Sequence, residues 1–248
     1  MAQPLTVDAL QTARGTIVEF IGLPGSGKST IAHALAETLR RRGATVSEPT
    51  WQNDHASSVP ARTFRKGAFA IAAGIRDPER AGDLVQWIAH SRQPTIREAV
   101  KLTVNALYLA EARERCAHAP GIHVFDQGLL QQLWSVLYRA IEHHDAERTC
   151  AEQLTRCCGC VNVVIVETPL STLRQRLQGR RADASRLERH LREWAPQAAL
   201  QRAVFAQRRV EAVADALSSC GAIRLLRVSG GGDLTVPQAA AVVSDWLN

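Results

Sequence analysis

Gly22-Leu23-Pro24-Gly25-Ser26-Gly27-Lys28-Ser29-Thr30 decides how the rest of the chain is read. It fills every fixed position of the pattern G-x-x-x-x-G-K-S/T. Glycines at 22, 25 and 27 let the backbone turn so that successive N–H groups face inward as an anion-binding nest. A helix leaving the loop near Lys28 aims its positive dipole end at the same point. Such a loop suits a triphosphate: Lys28 reaches the β- and γ-phosphates, and the Ser29 hydroxyl is placed to hold Mg²⁺. The flanks agree. Thr16–Ile21 is a short apolar run suited to a strand, and Ile31–Leu39 reads as the helix leaving the loop.

Outward from the loop, strand-like and helix-like stretches alternate. Residues 1–14 read as a loose lead-in. The first helix extends to about Arg42 and is closed by Gly43. Ala44–Glu48 reads as a second strand stopped by Pro49. Asp77-Pro78 and Gln93-Pro94 divide the next segment into helices near 61–75, 78–91 and 95–117. Ile122–Asp126 is a strand ending in an acid, followed by helices over 129–143 and 146–157. Val161–Glu167 is a core strand, and Pro169 starts a helix to Leu177. A basic break at 179–183 leads to a long helical stretch, 187–217, with Pro196 near its middle. Ala222–Val228 is the last strand, 229–233 a loop and 237–247 a closing helix. The expected fold is α/β: one domain over 1–248 with a parallel sheet of about five strands flanked by helices. Ligands then sit beyond the carboxyl ends of the strands, near Gly22, Glu48, Asp126, Glu167 and Val228.

Composition fits. The 248 residues are 46% hydrophobic and 22% charged, enough for one sizeable core. The net charge of +6 suits a protein that handles polyphosphates, or nucleic acid. Aromatics make up only 5%, they do not alternate with the basic residues, and no nucleic-acid module is recognisable, so nucleic acid is not the expected partner. Met1-Ala2-Gln3-Pro4 has neither a basic start nor an apolar core, and no run is long enough to span a bilayer, so a cytoplasmic protein with no membrane partner is expected. Its cysteines (116, 150, 157, 158, 160 and 220) are then reduced thiols. Cys157-Cys158-Gly159-Cys160 holds one C-x-x-C, but no second pair at zinc-binding spacing accompanies it.

Three further groups carry candidate chemistry. Asp126 ends an apolar strand, the position of an acid beside a phosphate-bridging Mg²⁺; capping the next helix is the competing role. Glu48 ends the second strand and can orient an acceptor hydroxyl, with Trp51 beside it to stack on a flat ring; an exposed Glu and a core Trp are the alternative. Arg174, Arg176, Arg180, Arg181 and Arg186 crowd one short segment, where fixed cations repel unless anions arrive. A lid over about 174–190 would gather charge on a transferring phosphoryl group and expel water; a solvated basic face is the plainer reading.

On these residues the chain resembles the thymidylate kinase-like branch of P-loop kinases. Gly22–Thr30 matches that family's loop, and Glu48-Pro49 its Glu-Pro. Leu107-Tyr108-Leu109-Ala110-Glu111-Ala112-Arg113 looks like its Leu-Leu-Phe-Ala-Ala-Asp-Arg helix, so the resemblance makes Arg113 a candidate for the acceptor pocket. Asp126-Gln127-Gly128 falls at Asp-Arg-Tyr, Ser185-Arg186-Leu187-Glu188 at the lid's Asp-Arg-Ile-Glu, and the loop around Gly231 where such kinases close over adenine. Gln127 and Ser47 stand where the family often has arginines, which removes two acceptor-side cations while the ATP side stays intact.

The resemblance implies a kinase that uses ATP and Mg²⁺, with possible homodimers. ATP lies on Gly22, Pro24, Gly25, Ser26, Gly27, Lys28, Ser29 and Thr30, with Arg176, Arg181 and Gly231 around it. Ser29 and Asp126 hold the metal. Lys28, Asp126, Glu48, Arg180 and Arg186 serve the chemistry, and Glu48, Trp51, Arg113 and Gln127 meet a small-molecule acceptor. The acceptor itself stays open among a nucleoside, a nucleotide and a related hydroxylated metabolite. A P-loop ATPase or regulatory nucleotide switch acting with a protein partner is the alternative, and a polynucleotide-end kinase a more distant one.

Overall fold

The computed structural model describes residues 15–55, 58–140, 146–156, 161–178, 196–231 and 234–247. Five strands form one parallel sheet: β1 (Thr16–Ile21), β2 (Val46–Ser47), β3 (Ile122–Phe125), β4 (Val161–Glu167) and β5 (Arg224–Ser229). Their order is β2-β3-β1-β4-β5, so β1 and its loop are central. The register pairs Val18 with Val124 on one side and with Asn162 on the other.

Ten helices surround the sheet among the described residues: α1 (Lys28–Arg41), α2 (Pro49–His55), α3 (Val59–Arg76), α4 (Pro78–His90), α5 (Ile96–His118), α6 (Leu129–Leu137), α7 (Ala146–Arg156), α8 (Leu170–Gln178), α9 (Pro196–Ser219) and α10 (Val236–Leu247). Side chains alternate across each strand, so the sheet has two buried faces. Val18, Phe20, Val124 and Val164 meet Ile31 and Leu35 of α1 and Val243 of α10. Ile17, Ile21, Phe125 and Val163 meet α5, α6 and α9 through Leu109, Leu133 and Ala206.

Several boundaries differ from the sequence reading. The second strand keeps only Val46–Ser47, because Pro49 opens α2 rather than merely stopping the strand; proline suits a first helical turn, where its missing N–H costs no bond. The helix expected over 129–143 ends at Leu137. Pro196 is the first described residue of α9, and the part of the expected helical stretch before it, 187–195, lies outside the described residues. The lid arginines Arg180, Arg181 and Arg186, the C-x-x-C at 157–160 and the lead-in at 1–14 lie outside the described residues. No described helix is long and apolar enough to cross a membrane.

Candidate functional site

The loop between β1 and α1 is a cradle that side chains would fill. Gly25 and Gly27 hold φ of 88° and 92°, the left-handed region that glycine enters without strain. A Cβ on Gly22 would lie 2.8 Å from Ser26 Oγ and 2.9 Å from the Val166 carbonyl oxygen, so β4 passes directly behind the loop. Gly27 caps α1 with no side-chain bond, leaving the helix's first N–H groups to the cradle. Ser26 is buried, and its Oγ has no hydrogen-bond partner among the described residues. Lys28 and Ser29 are half-buried and Thr30 is exposed. The Gly22 N–H donates to Gln131 Oε1 on α6 at 3.2 Å, which fixes one end of the loop.

Asp126, at the carboxyl end of β3, is 6% exposed and accepts a 2.6 Å hydrogen bond from Thr50 Oγ1. It therefore faces α2 rather than capping α6, whose N-cap is Gly128 with no side-chain bond. A hydroxyl and a carboxylate are hard oxygen donors of the kind Mg²⁺ takes, so Ser29 and Asp126 fit that ion beside a phosphate cradle.

Arg176 of α8 sits on the outside of the loop. Its Nη1 donates to the carbonyl oxygens of Gly25 (3.4 Å), Ser26 (3.2 Å) and Gly230 (2.7 Å). Thr168 Oγ1 donates to the Ser26 carbonyl at 3.0 Å. The loop carbonyls thus point outward to α8, as they must if the amides are to point in. Gly231 packs beside the same guanidinium: a Cβ there would be 3.3 Å from Arg176 Nη2. Arg176 binds the cradle to the last loop, a structural role beside the expected one toward ATP.

Three expected acceptor-side residues are placed differently. Glu48 is 4% exposed, and both oxygens are engaged: Oε1 with His33 Nδ1 at 2.9 Å and Oε2 with Arg40 Nη2 at 2.7 Å. It clips α1 to the end of β2. Trp51 is stacked between His33 (4.5 Å between ring centroids, 16° between planes) and His55 (3.7 Å, 19°). Both faces of its indole are covered by protein. Arg113, expected in an acceptor pocket, is fully buried, with Nη1 donating to Glu19 Oε1 at 2.7 Å.

Glu19 is the residue that reading the motifs missed. It occupies a core-facing position of β1 and is itself fully buried. Its Oε1 also accepts the Leu129 N–H at 3.3 Å, so the pair holds the turn after Asp126 against the strand that feeds the cradle. A Cβ on Gly128 would lie 2.1 Å from Glu19 Cδ, which explains why glycine follows Gln127. Burial pushes the nearby Cys150 thiol up, and Glu19 adds to the shift.

Beyond Asp126 lies a small, mainly polar cleft of about 10 Å³, lined by Thr50, Asn53, Lys66, Asn105, Tyr108 and Gln127 and by the apolar Leu109. Lys66 Nζ donates to Asn105 Oδ1 at 3.0 Å and stands 5.3 Å above the Tyr108 ring. Asn105 Nδ2 donates to Gln132 Oε1, and Tyr108 Oη to the Pro49 carbonyl. Exposed Gln127 also lines this cleft. Lys66, Asn53 and Asn105 belong to no motif, and no local sequence signal marks them. A larger cavity of about 420 Å³ lies between α3, α4 and α5, but it shares no residue with the loop or with Asp126. Its charges answer one another, as in Arg80–Glu114 and Arg76–Glu111.

The central loop, the outward carbonyls and the acid at the neighbouring strand end describe one nucleotide-binding device on a parallel five-stranded sheet. Residues 17–204 match the profile of an AAA domain family, a kinase-like group of P-loop NTPases, and the chain belongs to that family.

Proposed function

We propose that the protein is an ATP-dependent phosphotransferase that moves the γ-phosphoryl group to a small hydroxylated acceptor, a nucleoside, nucleotide or related metabolite in the manner of thymidylate kinase-like enzymes. The carrying observation is the polar cleft joined to Asp126 through Thr50. An enzyme that delivers phosphate only to water has no need of a walled polar pocket beyond its metal-binding acid.

In this reading the amides of Gly25–Ser29 and the Lys28 ammonium hold the triphosphate where charge develops during transfer. Ser29 and Asp126 hold Mg²⁺, which neutralises the β- and γ-oxygens when bound. Thr50 orients Asp126. Lys66, Asn105 and Gln127 orient the acceptor, and alignment supplies most of the rate. The cleft has one cation, Lys66, and no arginine among the residues that line it. That favours a neutral or singly charged acceptor over a phosphate dianion, which bidentate guanidinium groups recognise best. Glu48, Trp51 and Arg113 act by bracing the walls, while Arg180, Arg181 and Arg186 remain the proposed lid.

A nucleotide-dependent switch with a protein partner is the second reading, favoured by the size of the cleft: about 10 Å³ is less than a small metabolite fills, so transfer requires the cleft to open. ATP turnover measured against a panel of nucleosides, nucleotides and sugars separates the two. Strong stimulation by one compound, with its phosphorylated product seen by mass, is the expected result. Slow hydrolysis indifferent to every compound would give the site to the switch. Lys28→Ala should abolish transfer, and full turnover in that variant would overturn both readings.

A further inference from the structure

Helix α6 buries two consecutive glutamines in an otherwise apolar run, Leu129-Leu130-Gln131-Gln132-Leu133-Trp134. A buried amide costs free energy unless its hydrogen bonds are made. Neighbouring residues of a helix point about 100° apart, so the two amides serve different partners. Gln131 Oε1 accepts the N–H of Gly22, the first glycine of the phosphate loop. Gln132 is directed instead to α5.

There it belongs to a relay of hydrogen bonds. Its Nε2 donates to the Leu102 carbonyl at 2.8 Å, and its Oε1 accepts from Asn105 Nδ2 at 2.8 Å. Asn105 Oδ1 in turn accepts from Lys66 Nζ at 3.0 Å. The relay has one polarity. It starts at a backbone carbonyl, which can only accept, so Gln132 turns its nitrogen there and its oxygen to Asn105. Asn105 must then present its own oxygen to the cleft, and only a donor can meet it. Lys66 is that donor, and the relay draws its ammonium to one place above the Tyr108 ring.

Gln132 does not itself line the cleft. We propose that it is a positioning residue for the phosphoryl acceptor, setting the Lys66 ammonium through Asn105, and that Gln131 does the same for the nucleotide through Gly22. Acceptor and nucleotide here are those of the proposed phosphotransferase, on which this assignment rests. Helix α6 starts at Leu129, directly after Asp126-Gln127-Gly128. One helix therefore holds the phosphate loop, the metal-binding acid and the cleft cation in a common register. Phosphoryl transfer depends on that register, since its catalysis is mostly alignment and charge placement.

Reductive methylation of the full chain, followed by peptide mass analysis, reads the relay at Lys66 without any acceptor. Gln132→Met keeps the length of the side chain and removes its amide. It should speed modification of Lys66 at least about threefold, whereas Gln131→Met should leave that rate unchanged. Asn105→Asp offers the ammonium an acceptor that needs no Gln132. Combined with Gln132→Met it should restore the slow rate, which it would not do if the helices had merely loosened. Should Gln132→Met not fold, Asn105→Leu, at a half-buried position, cuts the same relay and should give the same acceleration. Calorimetry with MgATP should show the opposite pattern: binding about fivefold weaker in Gln131→Met and unchanged in Gln132→Met. With a phosphorylated compound in hand, Gln132→Met should raise its KM about tenfold and leave the KM for ATP alone. An unchanged Lys66 rate in Gln132→Met overturns the assignment, as does a loss of ATP affinity equal to that of Gln131→Met. If Lys66 responds as stated and no compound is phosphorylated, the phosphotransferase reading falls, the acceptor's part of the assignment falls with it, and the relay from Gln132 to Lys66 stands.

Discussion

Replacing Arg113 by methionine isolates the buried pair beneath the cradle. Methionine keeps much of the arginine stem's volume and removes the guanidinium, leaving the Glu19 carboxylate in a site with no exposure. Leaving one partner of a buried pair uncompensated costs about 3–5 kcal/mol. The Leu129 N–H still donates to Glu19, which places the loss near the lower end of that range. Urea denaturation of Arg113→Met and of the unaltered chain, with equal slopes required, should therefore give a difference of about 3 kcal/mol. Adding Glu19→Leu to Arg113→Met should recover most of this, because a matched apolar pair needs no desolvated charge. A loss below about 1 kcal/mol in the single variant would refute the reasoning, as would a double variant that loses the sum of the two singles.

Three other outcomes follow from the same contacts. Gly128→Ala puts a methyl group 2.1 Å from Glu19 Cδ, and should cost about 1–3 kcal/mol in the same denaturation assay; a neutral effect would mean that Glu19 is not seated against the turn. Arg176→Ala removes the donor shared by the Gly25, Ser26 and Gly230 carbonyls, and should weaken ATP binding by calorimetry about tenfold while changing stability by about 1 kcal/mol or less, since the residue is exposed; unchanged affinity would deny it any part in shaping the cradle. Burial raises the Cys116 thiol from 9.0 to about 11. The unfolded chain then gives up this proton first as pH rises, so the stabilisation is complete below about pH 9 and is lost on the way to about pH 11, by about 2–3 kcal/mol in all. Native-state alkylation at pH 8 followed by peptide mass analysis should accordingly label exposed Cys220 and spare Cys116 and Cys150; early labelling of either buried thiol would contradict their placement.

The cradle was readable because its chemistry is local. Strand, glycines, lysine and helix follow one another within some twenty residues, and each local preference agrees with the fold. The parallel sheet followed from alternation alone. What escaped were pairings between residues far apart in sequence. Arg113 lies in a stretch resembling an acceptor-contacting helix, yet its partner is set 94 residues away by the β1–α5 packing. A signal existed: Ile17–Ile21 is apolar except at Glu19, and a carboxylate at a core-facing strand position demands a buried cation. Glu48 could be read the same way, since His33 and Arg40 stand seven residues apart on one face of α1. The polar cleft had no such signal. Asn53, Lys66, Asn105 and Gln127 come from three helices and a turn, and only the packing of α3 on α5 brings them together. The proposed acceptor side is therefore the part of the molecule that tertiary structure, and not motif, defines. A compound that fills the cleft must move α3 against α5, because the space between Lys66, Asn105 and Tyr108 is about 10 Å³. Amide exchange along α3 should then change when such a compound binds. A compound that binds to saturation and leaves that exchange untouched would show that α3 does not move when the cleft fills.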